Sequence, residues 1–121
     1  MRNTLIVILI FLFQSFAFAG EADVLVVDVT KNTNNTYSFS VTVSHKDSGW
    51  DHYVNKWEVI DKDNNVLAVR VLHHPHVNEQ PFTRSLSGIE IPDSINTVTV
   101  RAYDSVHEYG GKTLMVKLPE K

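Results

Sequence analysis

Six histidines are the residues of this chain best suited to chemistry, and three of them fall within four positions. The stretch VLHHPHVNEQPF, residues 71–82, carries His73, His74 and His76 around a proline. Neutral imidazole is a common protein ligand for zinc, copper, iron and nickel ions. The stretch therefore leaves two alternatives, a metal site or polar side chains on an ordinary loop. The positions of the other three histidines decide between them.

The first 19 residues have the pattern of a secretory signal peptide. Arg2 supplies a positive charge, residues 5–13 form an apolar run, and Ala17-Phe18-Ala19 matches an A-x-A cleavage site. The run is shorter than the ~18 apolar residues that indicate a membrane-spanning helix. We therefore expect residues 1–19 to be removed, and residues 20–121 to form one mature domain in the periplasm or outside the cell.

The composition of the mature chain argues against several classes of partner. Without Arg2 there are ten Lys and Arg residues against fourteen Asp and Glu residues, a net charge of −4. Nucleic acids and anionic membranes require clustered Lys and Arg residues, which we do not find. The chain has no cysteine, so neither disulfides nor a cysteine-linked lipid anchor is expected. We predict a soluble protein, without membrane insertion, that is stabilised by one hydrophobic core.

Short β-rich runs separated by turn-rich clusters fill the mature chain and indicate an all-β fold. The predicted strands are residues 24–29, 37–45, 56–60, 66–73, 82–86, 97–103 and 113–118. Seven strands at this spacing are typical of an immunoglobulin-like β-sandwich. Trp57 lies in the third strand, where such sandwiches often carry a core tryptophan.

The alternation within two of these strands indicates which side chains face the core. Apolar and polar residues alternate through residues 37–44, so the apolar set faces inward and His45 continues it. Residues 98–102 alternate in the same way, and Asp104 continues their inward face.

The order of the strands predicts that all the histidines gather at one end of the sandwich. The second strand ends and the third begins at this end, whereas the hairpin at residues 61–65 lies at the other. If the sixth strand runs in the same direction as the second, its end lies beside them. The six histidines then occupy three loops at one pole: His45, His52, His73, His74, His76 and His107. The alternative is that loops simply favour polar residues.

We predict that this pole binds one transition-metal ion, either copper, zinc or iron. The predicted ligands are His45, His52, His74, His76 and His107. Pro75 favours an extended backbone at the residue before it, so His74 and His76 can point to the same ion while His73 points away. Met115 lies within a strand, so a thioether-rich copper(I) site is not expected.

Acidic residues near the histidines could supply oxygen ligands, or could accept the second ring N–H of a ligating histidine. Asp104 and Glu79 are the predicted residues for this role, with Asp47 and Asp51 as further candidates. We find no motif for an activated nucleophile, so a hydrolase is not expected.

A protein-interaction module is the second hypothesis, because aromatic residues are enriched at interfaces. Its surface would consist of His76 and the aromatic residues of the same pole. These aromatic residues are Trp50, Tyr53, Phe82 and Tyr109. The partner would be another periplasmic protein.

Two motifs resemble the iron-binding domain of superoxide reductases, the desulfoferrodoxin and neelaredoxin family. The family's HPM…HYI.W.E is similar to HKDSGWDHYVNKWEV here, which aligns its paired histidine ligands with His45 and His52. The family's YCN.HG is similar to YDSVHEYGG, which aligns its last histidine with His107 and its axial cysteine with Asp104. The match covers about a third of the mature chain. GWDHY and HPH…EQPF together are also similar to stretches of small exported bacterial proteins.

The resemblance implies an immunoglobulin-like sandwich and a histidine-rich iron site. The family's ferrous ion has four histidines and an axial thiolate, and that thiolate is central to the reductase mechanism. Because Asp104 stands at the thiolate position, we expect a carrier or sensor of metal in preference to an enzyme. A redox enzyme with Asp104 as an unusual axial ligand is the third hypothesis.

Overall fold

The computed structural model describes residues 20–120, which form seven β-strands and no helix. The strands are β1 (Asp23–Lys31), β2 (Tyr37–Ser44), β3 (Val54–Ile60), β4 (Val66–Val71), β5 (Phe82–Ile89), β6 (Thr97–Asp104) and β7 (Leu114–Lys117). They form two antiparallel sheets with the orders β1-β2-β5 and β4-β3-β6-β7. The predicted all-β class and strand number are confirmed. The predicted signal peptide lies outside the described residues.

Strand β2 shows the predicted alternation over its whole length. Its four apolar side chains are buried and its serines and threonine are half-buried. The buried set is Tyr37, Phe39, Val41 and Val43. His45 follows directly after the strand and is also buried, so the inward face of β2 continues into the loop as predicted.

Strand β6 delivers a carboxylate to the same end of the molecule. Its inward residues Val98, Val100 and Ala102 are buried, and Asp104 at the end of the strand is fully buried. The backbone of Asp104 lies beside that of Val54, the first residue of β3. The end of β6 therefore meets the loop between β2 and β3, as the sequence predicted.

The loops at this end form what we call the histidine pole, made of residues 45–53, 72–81 and 105–113. The β3–β4 hairpin turns at the opposite end, where the backbone of Asn65 accepts from the N–H of Asp61. All six histidines lie in the three loops of the histidine pole. Within residues 20–120, no helix is long and apolar enough to cross a membrane.

The core between the sheets is built mainly from valines and large aromatic residues. Trp57, Tyr37, Phe39 and Phe82 are among its largest fully buried side chains. The prediction that Trp57 fills the core is confirmed. Since Phe82 belongs to this core, it lies beneath the histidine pole and is not part of an exposed surface.

Replacing Trp57 with alanine should lower the free energy of unfolding by about 3–5 kcal/mol, because it leaves a large cavity in a closely packed core. Urea denaturation of the metal-free protein measures this loss. Trp50→Ala is the matched control, since Trp50 is 64% exposed and its loss should leave stability nearly unchanged. Equal effects of the two substitutions would contradict the placement of Trp57.

Candidate metal centre

His45 is held in one orientation by a buried carboxylate. Its Nδ1 lies 2.5 Å from Oδ1 of Asp47, and neither side chain is exposed to solvent. A carboxylate can only accept, so Nδ1–H donates to Asp47 and Nε2 is turned toward the interior of the pole. A carboxylate behind a histidine is the usual support of a metal-ligating imidazole.

Asp47 also ties two other segments to His45. Its Oδ1 accepts from the backbone N–H of Val54 at 3.2 Å, and its Oδ2 accepts from the backbone N–H of His76 at 2.7 Å. One carboxylate therefore connects the first loop, the start of β3 and the second loop of the pole. The tight spacing of His45 and Asp47, with one residue between them, is the sequence feature behind this arrangement.

His52 brings a second imidazole nitrogen against the first. Its Nε2 lies 3.2 Å from Nε2 of His45 and 3.1 Å from Oδ1 of Asp104. Two nitrogens bound to one zinc ion, each at about 2.0–2.1 Å and at the tetrahedral angle, would be about 3.3 Å apart. The spacing of the two nitrogens therefore matches that of two ligands of one ion.

Asp104 completes a group of three ligand atoms that lie within 4.8 Å of one another. Its Oδ1 accepts from the backbone N–H groups of Val106 at 2.8 Å and His107 at 2.6 Å. Its Oδ2 is buried and has no hydrogen-bond partner among the described residues, although Nε2 of His45 lies 3.9 Å away. A buried oxygen without a partner is costly, and a cation would remove that cost.

Asp104 supplies a negative charge to this group of three ligand atoms. Burial opposes its ionisation, but the backbone N–H groups of His107 and Val106 and the electrostatic attraction of the nearby imidazoles of His45 and His107 outweigh burial and lower its pKa. Asp104 is therefore ionised at neutral pH. We call His45, His52 and Asp104 the histidine centre.

His107 lies at the rim of the histidine centre. Its Nδ1 is 3.4 Å from Oδ1 of Asp104, and its ring centroid is 4.9 Å from that of His52. Its side chain is 38% exposed, so the ring has room to turn toward or away from the centre.

The HHPH segment supports the histidine centre without adding a ligand atom to its three-residue group. The ring of His76 stacks on Phe82 with centroids 4.0 Å apart, and its Nε2 accepts from Arg84 at 3.1 Å. Glu79 pairs with the same arginine at 3.1 Å. His74 is exposed and packs beside Trp50, with ring centroids 6.1 Å apart.

The aromatic residues of the pole pack against different neighbours. Trp50 is exposed and packs edge-on against Tyr53, with ring centroids 5.6 Å apart. Tyr109 lies instead under Arg101, whose guanidinium carbon is 3.9 Å from the ring centroid.

One contact of the histidine centre has no counterpart in the sequence prediction. The backbone carbonyl oxygen of Gly20 lies 2.9 Å from Nε2 of His45. A backbone oxygen leaves no signature in residue type, so composition and spacing could not reveal it.

Asp47→Asn should weaken metal binding by about 10–100-fold, the usual cost of losing the carboxylate behind a ligating histidine. The amide oxygen can still accept one of the two backbone N–H groups, so part of the connection between the loops should persist. Titration of both proteins with zinc in the presence of a competing chelator measures the change. Asp51→Asn is the control, since Asp51 is an exposed acid of the same loop. Undiminished affinity of the Asp47→Asn protein would contradict the role of Asp47 as the support of a ligating His45.

His76 should make the metal-free protein less stable as the pH falls. Its burial and the positive charge of Arg84 lower its pKa from the ordinary value of 6.5. The unfolded chain then binds more protons than the folded one just below pH 6.5, so the free energy of unfolding decreases with falling pH. Urea denaturation at pH 7.5 and 5.5 should show a larger loss for the wild type than for His76→Gln. Parallel losses in the two proteins would contradict this role.

Comparison with known proteins identifies a relative by sequence. The chain is 38% identical over 96 residues to a protein of Halomicrobium mukohataei named "Putative lipoprotein". The alignment covers 79% of this chain and 47% of that protein, so the chain spans about half the length of this relative. No family model and no solved structure matches the chain.

Proposed function

We propose that the protein is an exported metal-binding protein, a carrier or sensor, that holds one copper, zinc or iron ion in the histidine centre. The ligands are Nε2 of His45, Nε2 of His52 and a carboxylate oxygen of Asp104, and His107 closes the site from the rim. The observation that carries the proposal is the pair of imidazole nitrogens 3.2 Å apart beside a buried carboxylate. Facing nitrogens at this distance require a proton or a cation between them.

The donor set limits the metal. Two histidines and one carboxylate suit zinc and copper(II), and the same set with open positions is typical of non-haem iron(II). The chain has no cysteine, so soft thiolate ligands for copper(I) or an iron–sulfur cluster do not occur. His107 and solvent would fill the remaining positions.

We also infer an immunoglobulin-like fold and export through a cleaved signal peptide. The sheet orders β1-β2-β5 and β4-β3-β6-β7 support the immunoglobulin-like class, in which the first, second and fifth strands pair apart from the third, sixth and seventh. The name of the relative supports export of this chain. We infer from the A-x-A pattern that export occurs through removal of residues 1–19.

The metal content of the exported protein tests the proposal. The protein is isolated from the periplasm without an affinity tag or chelator, and its copper, zinc and iron are quantified. We expect close to one ion per chain, and its loss in the double substitution His45→Ala, His52→Ala. Metal-free protein that also takes up none of the three ions at micromolar concentration would refute the proposal.

Acid should release the bound ion, because a protonated imidazole cannot ligate a metal. Dialysis of the loaded protein at pH 7.5 and at pH 5 should therefore leave metal bound only at the higher pH. Retention at pH 5 would indicate that carboxylates, and not histidines, hold the ion.

A redox role, the third hypothesis from the sequence, is favoured by one observation. The four residues that align with ligands of the superoxide reductase family lie together in the structure: His45, His52, Asp104 and His107. If iron is the bound metal, the loaded protein should be tested for consumption of superoxide. If the iron-loaded protein does not consume superoxide, the redox role is wrong and metal binding alone is left.

The interaction module is favoured by exposed Trp50, with Tyr53 and His74 packed against it. Binding of a periplasmic protein by metal-free protein, lost in Trp50→Ala but kept in His107→Ala, would support it. Loss in both variants would instead place the partner over the histidine centre.

A further inference from the structure

We propose that the α-amino group of Gly20, created when the chain is cleaved after Ala19, is a ligand of the metal ion in the histidine centre. The inference rests on the proposed function. It adds one nitrogen donor that comes from the backbone and not from a side chain. It also makes metal loading depend on removal of the leader.

Gly20 lies next to the histidine centre. Its carbonyl oxygen lies 2.9 Å from Nε2 of His45, one of the three ligand atoms of the histidine centre. The nitrogen and the carbonyl oxygen of one residue are joined through two carbons, so they cannot be more than ~4 Å apart. An ion that binds both atoms would form a five-membered chelate ring.

Gly20 packs closely against His107 at the rim of the histidine centre. A Cβ built on this residue would lie 2.8 Å from Cε1 of His107, closer than side-chain carbons pack. Glycine therefore lets the backbone at position 20 reach the ring of His107, which closes the other side of the centre.

The segment that follows Gly20 is anchored, so Gly20 is positioned before an ion arrives. Ala22 is buried, and its backbone oxygen lies where a Cβ on Gly111 would be. The N–H of Val24 donates to the carbonyl of Lys112 at 2.8 Å, and the N–H of Lys112 donates to Oδ1 of Asp23 at 2.8 Å. These bonds fasten residues 22–24 to the loop that carries His107.

Cleavage changes the chemistry of the nitrogen at position 20. In the uncleaved chain it is an amide, whose lone pair is delocalised into the carbonyl of Ala19 and is a poor ligand. After cleavage it is a primary amine, which ligates metal once it has lost its proton. The precursor should therefore bind metal more weakly than the processed protein, which would restrict loading to the compartment outside the inner membrane.

Two forms of the protein that differ only at the N-terminus test the inference. One contains residues 20–121 and begins at Gly20, released by a protease that cuts directly before it. The other keeps Ala19, which moves the free amine one residue away from the centre. Both contain all seven strands. Their affinities for copper(II) and zinc are measured by competition with a chelator, and their urea denaturation without metal confirms that both fold alike.

We expect the form that begins at Gly20 to bind at least one of the two ions about tenfold or more tightly than the form that keeps Ala19. Equal affinities would overturn the role of the amine and leave the proposed metal site intact. If neither form binds, the proposed function itself fails. The mass of the exported protein must also correspond to a first residue of Gly20, and a different first residue would overturn the inference.

Discussion

Asp104→Asn should weaken metal binding by more than ~100-fold while the protein still folds, because the loss of a direct ligand exceeds the loss of its support. Asparagine keeps a carbonyl oxygen that can accept from Val106 and His107, so the turn after β6 should persist. What disappears is the buried negative charge, which no other residue of the three-member group supplies. The substitution therefore removes the negative charge next to the ion while the turn after β6 keeps its structure.

Calorimetric titration with zinc and copper(II) measures this effect. Glu108→Asn is the matched control, because Glu108 is an exposed acid in the same loop and its side chain is not part of the histidine centre. Thermal unfolding of the metal-free proteins should give similar midpoints. An Asp104→Asn protein that binds as tightly as the wild type would show that the ion does not contact this carboxylate.

His52→Ala should abolish tight binding, whereas His73→Ala should leave it unchanged. His52 offers Nε2 to the ion between His45 and Asp104. His73 is exposed. We expect the loss for His52→Ala to exceed the ~10–100-fold typical of a supporting residue.

The same titrations show whether the HHPH segment binds the metal or is an ordinary polar loop. His74→Ala should behave as His73→Ala does, because His74 packs beside Trp50 and away from the three ligand atoms. Equal losses for His52, His73 and His74 would indicate that metal binds loosely to the whole pole. In that case no defined centre would exist.

The sequence predicts the positions of His45 and Asp104 because both continue strands with a clear alternation. In β2 and β6 every second residue is apolar, so the face of the next inward residue follows from a period of two. The direction of β6 relative to β2 was an assumption about topology, and the pairing of Val54 with Asp104 confirms it. Regular strands therefore carry the predictable part of the centre.

The loop residues could not be assigned in the same way. The proline in HHPH predicts a common direction for His74 and His76, but the direction of a loop depends on what anchors it. Here the backbone N–H of His76 donates to Asp47, and the ring of His76 stacks on Phe82. These two contacts hold the imidazole against the core, and it is not one of the three grouped ligand residues. Both anchors are distant in sequence, which is why spacing alone does not reveal them.

The location of an ion in crystals of the metal-loaded protein tests the central claim most directly. Diffraction data collected at the absorption edge of the bound metal locate it without reference to the protein atoms. We predict one anomalous peak at about 2.0–2.2 Å from Nε2 of His45, Nε2 of His52 and an oxygen of Asp104. A peak at His73, His74 or His76, or several weak peaks over the histidine pole, would contradict the account.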